Sequence, residues 1–203
     1  MMPILPTSYF GSIAYFKELA QHPLVQIEAH EHFPKQTYRN RCDILGGDGI
    51  LSLSIPTKKP NGSKTPTENV LLPDEENWRI RHWRAMTSAY QSSAYFDYYS
   101  MEVEELLFNE TDNLLKFNTA ITQRIIDWLY IDTKLVMTQE FQPIELNDLR
   151  IALVHKDEFQ HKIKSPYIQV FPGENNFQES LSILDAVFCE GPMARNLILP
   201  TTK

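Results

Sequence analysis

Between His30 and Arg41 the chain reads HEHFPKQTYRNR: two histidines, a lysine, two arginines, an asparagine and a tyrosine, with no acid after Glu31. A second stretch, Trp78 to Arg84 (WRIRHWR), adds three arginines and a histidine. Positions 35–41 and 79–84 hold six of the nineteen lysines and arginines in a chain whose formal net charge is −7. Such a concentration suits an anion site, because guanidinium forks pair with carboxylate or phosphate and an ammonium adds a point charge. Both stretches are therefore expected to line one cleft, with Lys35, Arg39 and Arg41 holding an anion and Asn40 orienting the ligand. Arg79, Arg81 and Arg84 around His82 would depress its pKa, leaving a neutral imidazole able to act as a base. The plainer readings are a solvated basic loop at 35–41 and a core histidine at 82. His30 and His32 place two imidazoles on one side of an extended segment. No third ligand follows at a recognisable spacing, so no metal is expected.

These side chains need elements to hold them. Ile13, Phe16, Leu19 and Ala20 recur at helical spacing, which predicts a helix over about 12–21, ended by Pro23. Leu24 to Ala29 (LVQIEA) reads as a buried strand, so His30 and His32 fall at or just past its end, where open α/β sheets place ligands. Cys42–Leu45 and Ile50–Ile55 flank Gly46-Gly47-Asp48-Gly49 and predict a β-hairpin, while 58–67 reads as an exposed loop. Pro73-Asp74-Glu75-Glu76 starts a helix running to about Ser92, capped by Asp74. On it Trp78, His82, Met86 and Ala89 share one face, with Arg79, Trp83 and Tyr90 on the next. A helix over 101–108 follows. Another, capped by Thr111 or Asp112, runs to about Tyr130. Lys134–Met137 is a strand, and 180–199 a helix broken at Gly191-Pro192.

Composition narrows the class. At 203 residues, with 42% hydrophobic and 22% charged residues, the chain is expected to form a single globular domain over 1–203. No apolar run is long enough to span a bilayer and the N-terminal stretch lacks the pattern of a secretory signal, so the expectation is a cytoplasmic protein. Cys42 and Cys189, far apart and outside any CxxC spacing, argue for reduced structural thiols. A pI near 5.4 argues against nucleic acid as partner. The sequence has no phosphate loop, no G-x-G-x-x-G and no G-x-S-x-G elbow.

Taken in order, Tyr9-Phe10 and Tyr15-Phe16, Lys35 with Arg39-Asn40-Arg41, Ser52 to Pro56, His82-Trp83-Arg84 with Tyr90, Ala94-Tyr95-Phe96, and Leu181-Ser182-Ile183-Leu184-Asp185 with Glu190-Gly191-Pro192 resemble the WbqC-like protein family. The resemblance covers nearly the whole chain. Two positions depart from the family pattern: Gly11 stands where a proline is common, and Cys189 where an asparagine is common. The opening strand, loop and helix are also similar to HIGH-type nucleotidylyltransferases, but the histidines of that signature are missing and Tyr15 stands where one would fall. What the WbqC-like resemblance implies is a bacterial protein tied to surface-polysaccharide loci, with a transferase role in making sugar precursors.

The expected fold is mixed α/β: a small mixed sheet carrying the hairpin, with flanking helices and a largely helical C-terminal half. The leading functional expectation is a transferase in O-antigen or glycolipid precursor synthesis. In it His82 and Lys35 are catalytic, and Arg39, Asn40, Arg41, His30, His32, Arg79 and Tyr90 bind an anionic activated sugar or acyl donor. No cofactor is named by the sequence. The alternatives are a non-catalytic sugar-nucleotide binder working beside a biosynthetic enzyme, and an interaction module using the aromatics at 95–99 and Trp78/Trp83.

Overall fold

A computed structural model describes residues 2–34, 37–73, 77–144, 148–153, 166–171 and 177–199. Strand β2 (Leu24–Ile27) is the centre of a three-stranded parallel sheet, with β1 (Ile4–Leu5) on one side and β5 (Lys134–Met137) on the other. The register sets Leu5 opposite Ile27 and Ile27 opposite Met137, so all three strands end at the same edge. Val25 and Ile27 alternate with half-buried Leu24 and Gln26, as the period-2 pattern requires. The strand stops two residues earlier than the apolar run suggested, because the Glu28 carboxylate, fully buried, accepts from the His30 main-chain N–H at 2.8 Å and turns the chain.

Helix α1 (Ile13–Leu19) is capped by Ser12, whose Oγ accepts from Tyr15 N at 3.2 Å, and it buries Ile13, Phe16 and Leu19. The hairpin forms as expected. β3 (Arg41–Gly46) pairs with β4 (Gly49–Ser54) around Gly47-Asp48, and Gly49 takes φ +106°, which favours glycine. It does not join the parallel sheet; among the described residues it is a separate two-stranded sheet. Nor is the segment after it a solvated loop throughout. Lys58 to Lys64 are mostly exposed, but Thr65 and Thr67 are fully buried, and Phe33 N and Thr67 N donate to Thr65 O and Glu31 O at 2.9 Å each.

Helix α2 (Asn77–Tyr90) turns Trp78, Arg79, His82, Met86, Ala89 and Tyr90 inward. The expected Asp74 cap lies outside the described residues. Next come α3 (Phe96–Leu107) and α4 (Leu114–Trp128), the latter burying Leu114, Phe117, Ile121 and Ile125. The cap of α4 is Asn113, not Thr111 or Asp112: its Oδ1 accepts from Lys116 N at 3.0 Å. The Asp112 carbonyl is taken by Leu72 N, which donates to it at 2.7 Å, and Asn113 is extended as a cap residue should be. A short α5 (Leu149–Ala152), capped by Asp148, follows β5. The C-terminal helix breaks where expected, into α6 (Ile183–Glu190), a 3-10 turn and α7 (Arg195–Ile198). Gly191 sits at φ +58°, and a Cβ there would stand 2.5 Å from the Tyr95 ring, so both backbone and packing require glycine.

Candidate functional site

The ends of β2 and β5 open into a cleft of about 660 Å³. Its inner wall is the chain leaving β2, with His30, Glu31 and His32, joined by Arg39 and by Arg150 of α5; Phe141, Ile144 and Ile151 form an apolar rim. This is the carboxyl edge of a parallel sheet, where side chains from several strand ends converge. The three rim residues are each about half exposed, so the mouth presents apolar surface while charge lies deeper.

Two buried guanidiniums shape the interior. Arg150 engages every donor it has. Nε and one Nη2 proton reach Asp148, and the other Nη2 proton reaches Pro143 O at 2.9 Å. Nη1 donates to Glu28 Oε2 at 3.0 Å and to Gln142 O at 2.7 Å. Glu28 is equally engaged, accepting also from Thr138 Oγ1 and Gln142 N. Arg39 is 2% exposed and different in kind. Its Nε and Nη2 both lie 2.8 Å from Glu31 Oε1, and its Nη1 has no partner among the described residues. A buried donor without a partner is costly, and a ligand acceptor would remove that cost.

The His30 ring is pinned between Thr138 and Glu68. One ring nitrogen lies 3.0 Å from Thr138 O and the other 3.2 Å from Glu68 Oε1, so both face acceptors within the protein. His32 is exposed and lines the cleft. Its ring is the imidazole of the site whose nitrogens no described contact occupies. The expectation of a strongly basic cleft needs correction. Glu28, Glu31 and Asp148 compensate Arg39 and Arg150, and Glu68 stands beside His30.

The two basic stretches do not share this cleft. Arg79 and His82 lie one helical turn apart on the inward face of α2, and the helix carries both into the core. Arg79 Nη1 donates to Leu107 O at 2.7 Å, at the C-terminus of α3, where the helix dipole favours a cation. Its guanidinium lies over Trp78 and Phe117, 4.5 and 5.3 Å from the ring centroids. His82, 5% exposed, takes a hydrogen bond on Nδ1 from the Tyr9 hydroxyl at 2.9 Å and meets the Trp78 ring edge-on. Its pKa is lowered to about 4, as the spacing led us to expect, but burial is the main cause. The Ser54 carbonyl opposes the shift, and of the three arginines only Arg81 contributes, weakly.

Tyr90 is fully buried against Phe188, its hydroxyl 3.4 Å from Leu45 N. Arg41 lies over the Tyr38 ring at 5.1 Å. Asn40 fastens the hairpin, Nδ2 donating to Ile55 O at 2.8 Å. Lys35 lies outside the described residues. Of the residues chosen from sequence, then, the cleft gathers His30, His32 and Arg39. Glu28, Glu31 and Arg150 were missed. The two glutamates flank His30 and were visible as acids at a strand end; Arg150 had no local signal.

Burial also disposes of most of the aromatic interface idea, since Trp78, Phe96 and Tyr99 are in the core, Trp83 and Tyr95 are half-buried against it, and Tyr98 is exposed. The cysteines behave as structural thiols. Cys42 is buried, and burial pushes Cys189 up to about 12. Among the described residues no cluster of three metal-ligating side chains occurs, and no helix is long and apolar enough to cross a membrane.

Fold and site together define a mixed α/β protein with a ligand cleft at the carboxyl edge of a parallel sheet. By sequence the chain belongs to the WbqC-like protein family, which it matches over residues 7–158. It is also similar to the uncharacterized protein Rv1507c of Mycobacterium tuberculosis, with 22% identity over 173 residues, covering 84% of this chain and 72% of that protein. No solved structure matches the chain.

Proposed function

We propose that the cleft binds an anionic activated sugar or acyl donor, and that the protein works as a transferase in the synthesis of bacterial surface-polysaccharide precursors. The observation that carries this reading is Arg39 Nη1, a buried cationic donor at the cleft that lacks a partner among the described residues. Glu31 fixes the other edge of the guanidinium, so the free arm is pre-oriented for one phosphate or carboxylate oxygen. The apolar rim then excludes water from the bound group. Membership of the WbqC-like family supports the setting.

Arg39→Lys keeps a cation beside Glu31 and removes the free arm. Titrating nucleotide sugars, acyl-coenzyme A compounds and simple phosphates by calorimetry should find a ligand whose affinity this substitution lowers roughly tenfold or more, as loss of one charged hydrogen bond predicts. Equal affinity in the two proteins would remove Arg39 from the site and this reading with it.

A second reading, binding without catalysis beside a biosynthetic enzyme, is favoured by the engagement of His82 and His30 in hydrogen bonds away from any ligand. His32→Gln separates the two. Retained affinity with lost turnover supports the transferase; a wild-type protein that binds and never turns over supports the binder.

A further inference from the structure

We propose that the ligand of the cleft belongs to the acyl class: an anion carrying a hydrocarbon chain of several carbons, its head on the free arm of Arg39 and its chain along Phe141, Ile144 and Ile151. This rests on the reading of the cleft given above and narrows it, since an activated sugar is then excluded.

The rim is built by the same network that closes the cleft floor. Arg150 Nη1 donates to Gln142 O at 2.7 Å and Nη2 to Pro143 O at 2.9 Å, while Gln142 N donates to Glu28 Oε2 at 3.2 Å. The chain at 142–143 is thereby tied down through three main-chain groups, and its neighbours Phe141 and Ile144 are left at the mouth. Ile151 follows Arg150 on α5. Successive helical residues are turned by about 100°, so the orientation that buries Arg150 directs Ile151 to the surface. Phe141, Ile144 and Ile151 are 50%, 55% and 47% exposed. Single exposed apolar residues are ordinary on a protein surface, but three large ones around one cavity form a patch that calls for a partner.

The polar lining counts against a sugar. A sugar ring presents several hydroxyls, each of which donates and accepts. Among the described residues the cleft is lined by no serine, threonine, tyrosine, asparagine or glutamine. Its charged groups are largely engaged: Arg150 has no N–H left over, Glu31 Oε1 takes two donors from Arg39, and both His30 ring nitrogens face acceptors of the protein. What the lining offers is one buried cationic N–H on Arg39, the His32 ring, and beyond them apolar surface. A carboxylate or phosphate at one end of a hydrocarbon chain matches that order, with charge inside and carbon outside.

The test is an isothermal titration of the full chain with ethyl, butyl and hexyl phosphate. Affinity should rise by roughly two- to fourfold for each added methylene, the upper figure being that of complete burial. The matching carboxylates should show the same slope, and the tighter series assigns the head group. Glucose 1-phosphate should bind no more tightly than ethyl phosphate. Ile151→Ser should flatten the slope while leaving ethyl phosphate at its wild-type affinity, and Phe141→Ser provides a second variant. Both side chains are half exposed, so neither change removes core packing and Tm should hold.

Arg39→Lys should lower every member of the series by one factor and leave the slope unchanged, which separates head from chain. An affinity that does not change with chain length, a slope that survives both serine variants, or glucose 1-phosphate binding more tightly than hexyl phosphate would overturn the acyl assignment while leaving the Arg39 anion site standing. A series indifferent to Arg39→Lys would remove the anion site itself, and this inference with it.

Discussion

Replacing Arg150 by methionine is expected to destabilise the protein by roughly 3–5 kcal/mol, the loss typical when one partner of a buried ion pair is removed. The side chains of Arg150 and Glu28 are 1% and 0% exposed, and the nearest atoms of the pair are 3.0 Å apart. Methionine fills much of the volume but leaves Glu28 as a buried charge, together with the Gln142 and Pro143 carbonyls that the guanidinium satisfied. Equilibrium urea unfolding reads the loss as a lower midpoint at unchanged slope. The double substitution Glu28→Gln with Arg150→Met should recover part of it, since the orphaned charge is then gone. A loss below about 1 kcal/mol would mean that water reaches Glu28 when Arg150 is absent, and that the cleft floor is softer than its hydrogen bonds indicate.

That network also marks where sequence reading stopped. The spacing of Ile13, Phe16 and Leu19, the apolar stripe of α4 and the glycines at 46, 47 and 49 each report on neighbours within a few residues, so α1, α4 and the hairpin were legible. His30 and His32 were legible as cleft residues for a related reason: a strand end is a local feature, and strand ends in parallel sheets face ligands. Arg150 stands 122 positions from Glu28, and nothing near it says which carboxylate it meets.

Arg79 and His82 teach the opposite lesson. The helical pattern itself put His82 on the face of Trp78 and Met86 and Arg79 on the face beside it, and those faces are the core. The run of positive charge along the chain points the other way, to an anion site. The carbonyls that make burial tolerable, Leu107 at the end of α3 and Ser54 at the end of β4, come from other elements and had no signature in the stretch WRIRHWR.

The second large effect belongs to His82 and appears in the pH dependence of stability. Its pKa in the folded protein is lowered from 6.5 to about 4, so between those values the unfolded chain binds the proton and the folded chain does not. The stability at stake is therefore fully present above pH 6.5 and is lost as the pH falls through the window to 4; below 4 both states are protonated and nothing further is lost. The amplitude is roughly 3 kcal/mol. His82→Gln keeps hydrogen-bonding capacity toward Tyr9 and Ser54 but cannot titrate. Urea midpoints of the two proteins should therefore differ by an amount that changes by roughly 3 kcal/mol between pH 7 and pH 3.5, with the variant gaining ground as acid is added. Other titrating groups act in both proteins and cancel in the comparison.

A constant difference across that range would mean that the ring titrates near its ordinary value, as a solvent-facing base would, and would return His82 to the list of catalytic candidates. The expected result excludes it on energetic grounds. An imidazole whose Nδ1 already accepts from the Tyr9 hydroxyl in the core can take up a proton only by reversing that hydrogen bond and carrying a buried charge, so its protonation weakens the fold instead of assisting a reaction.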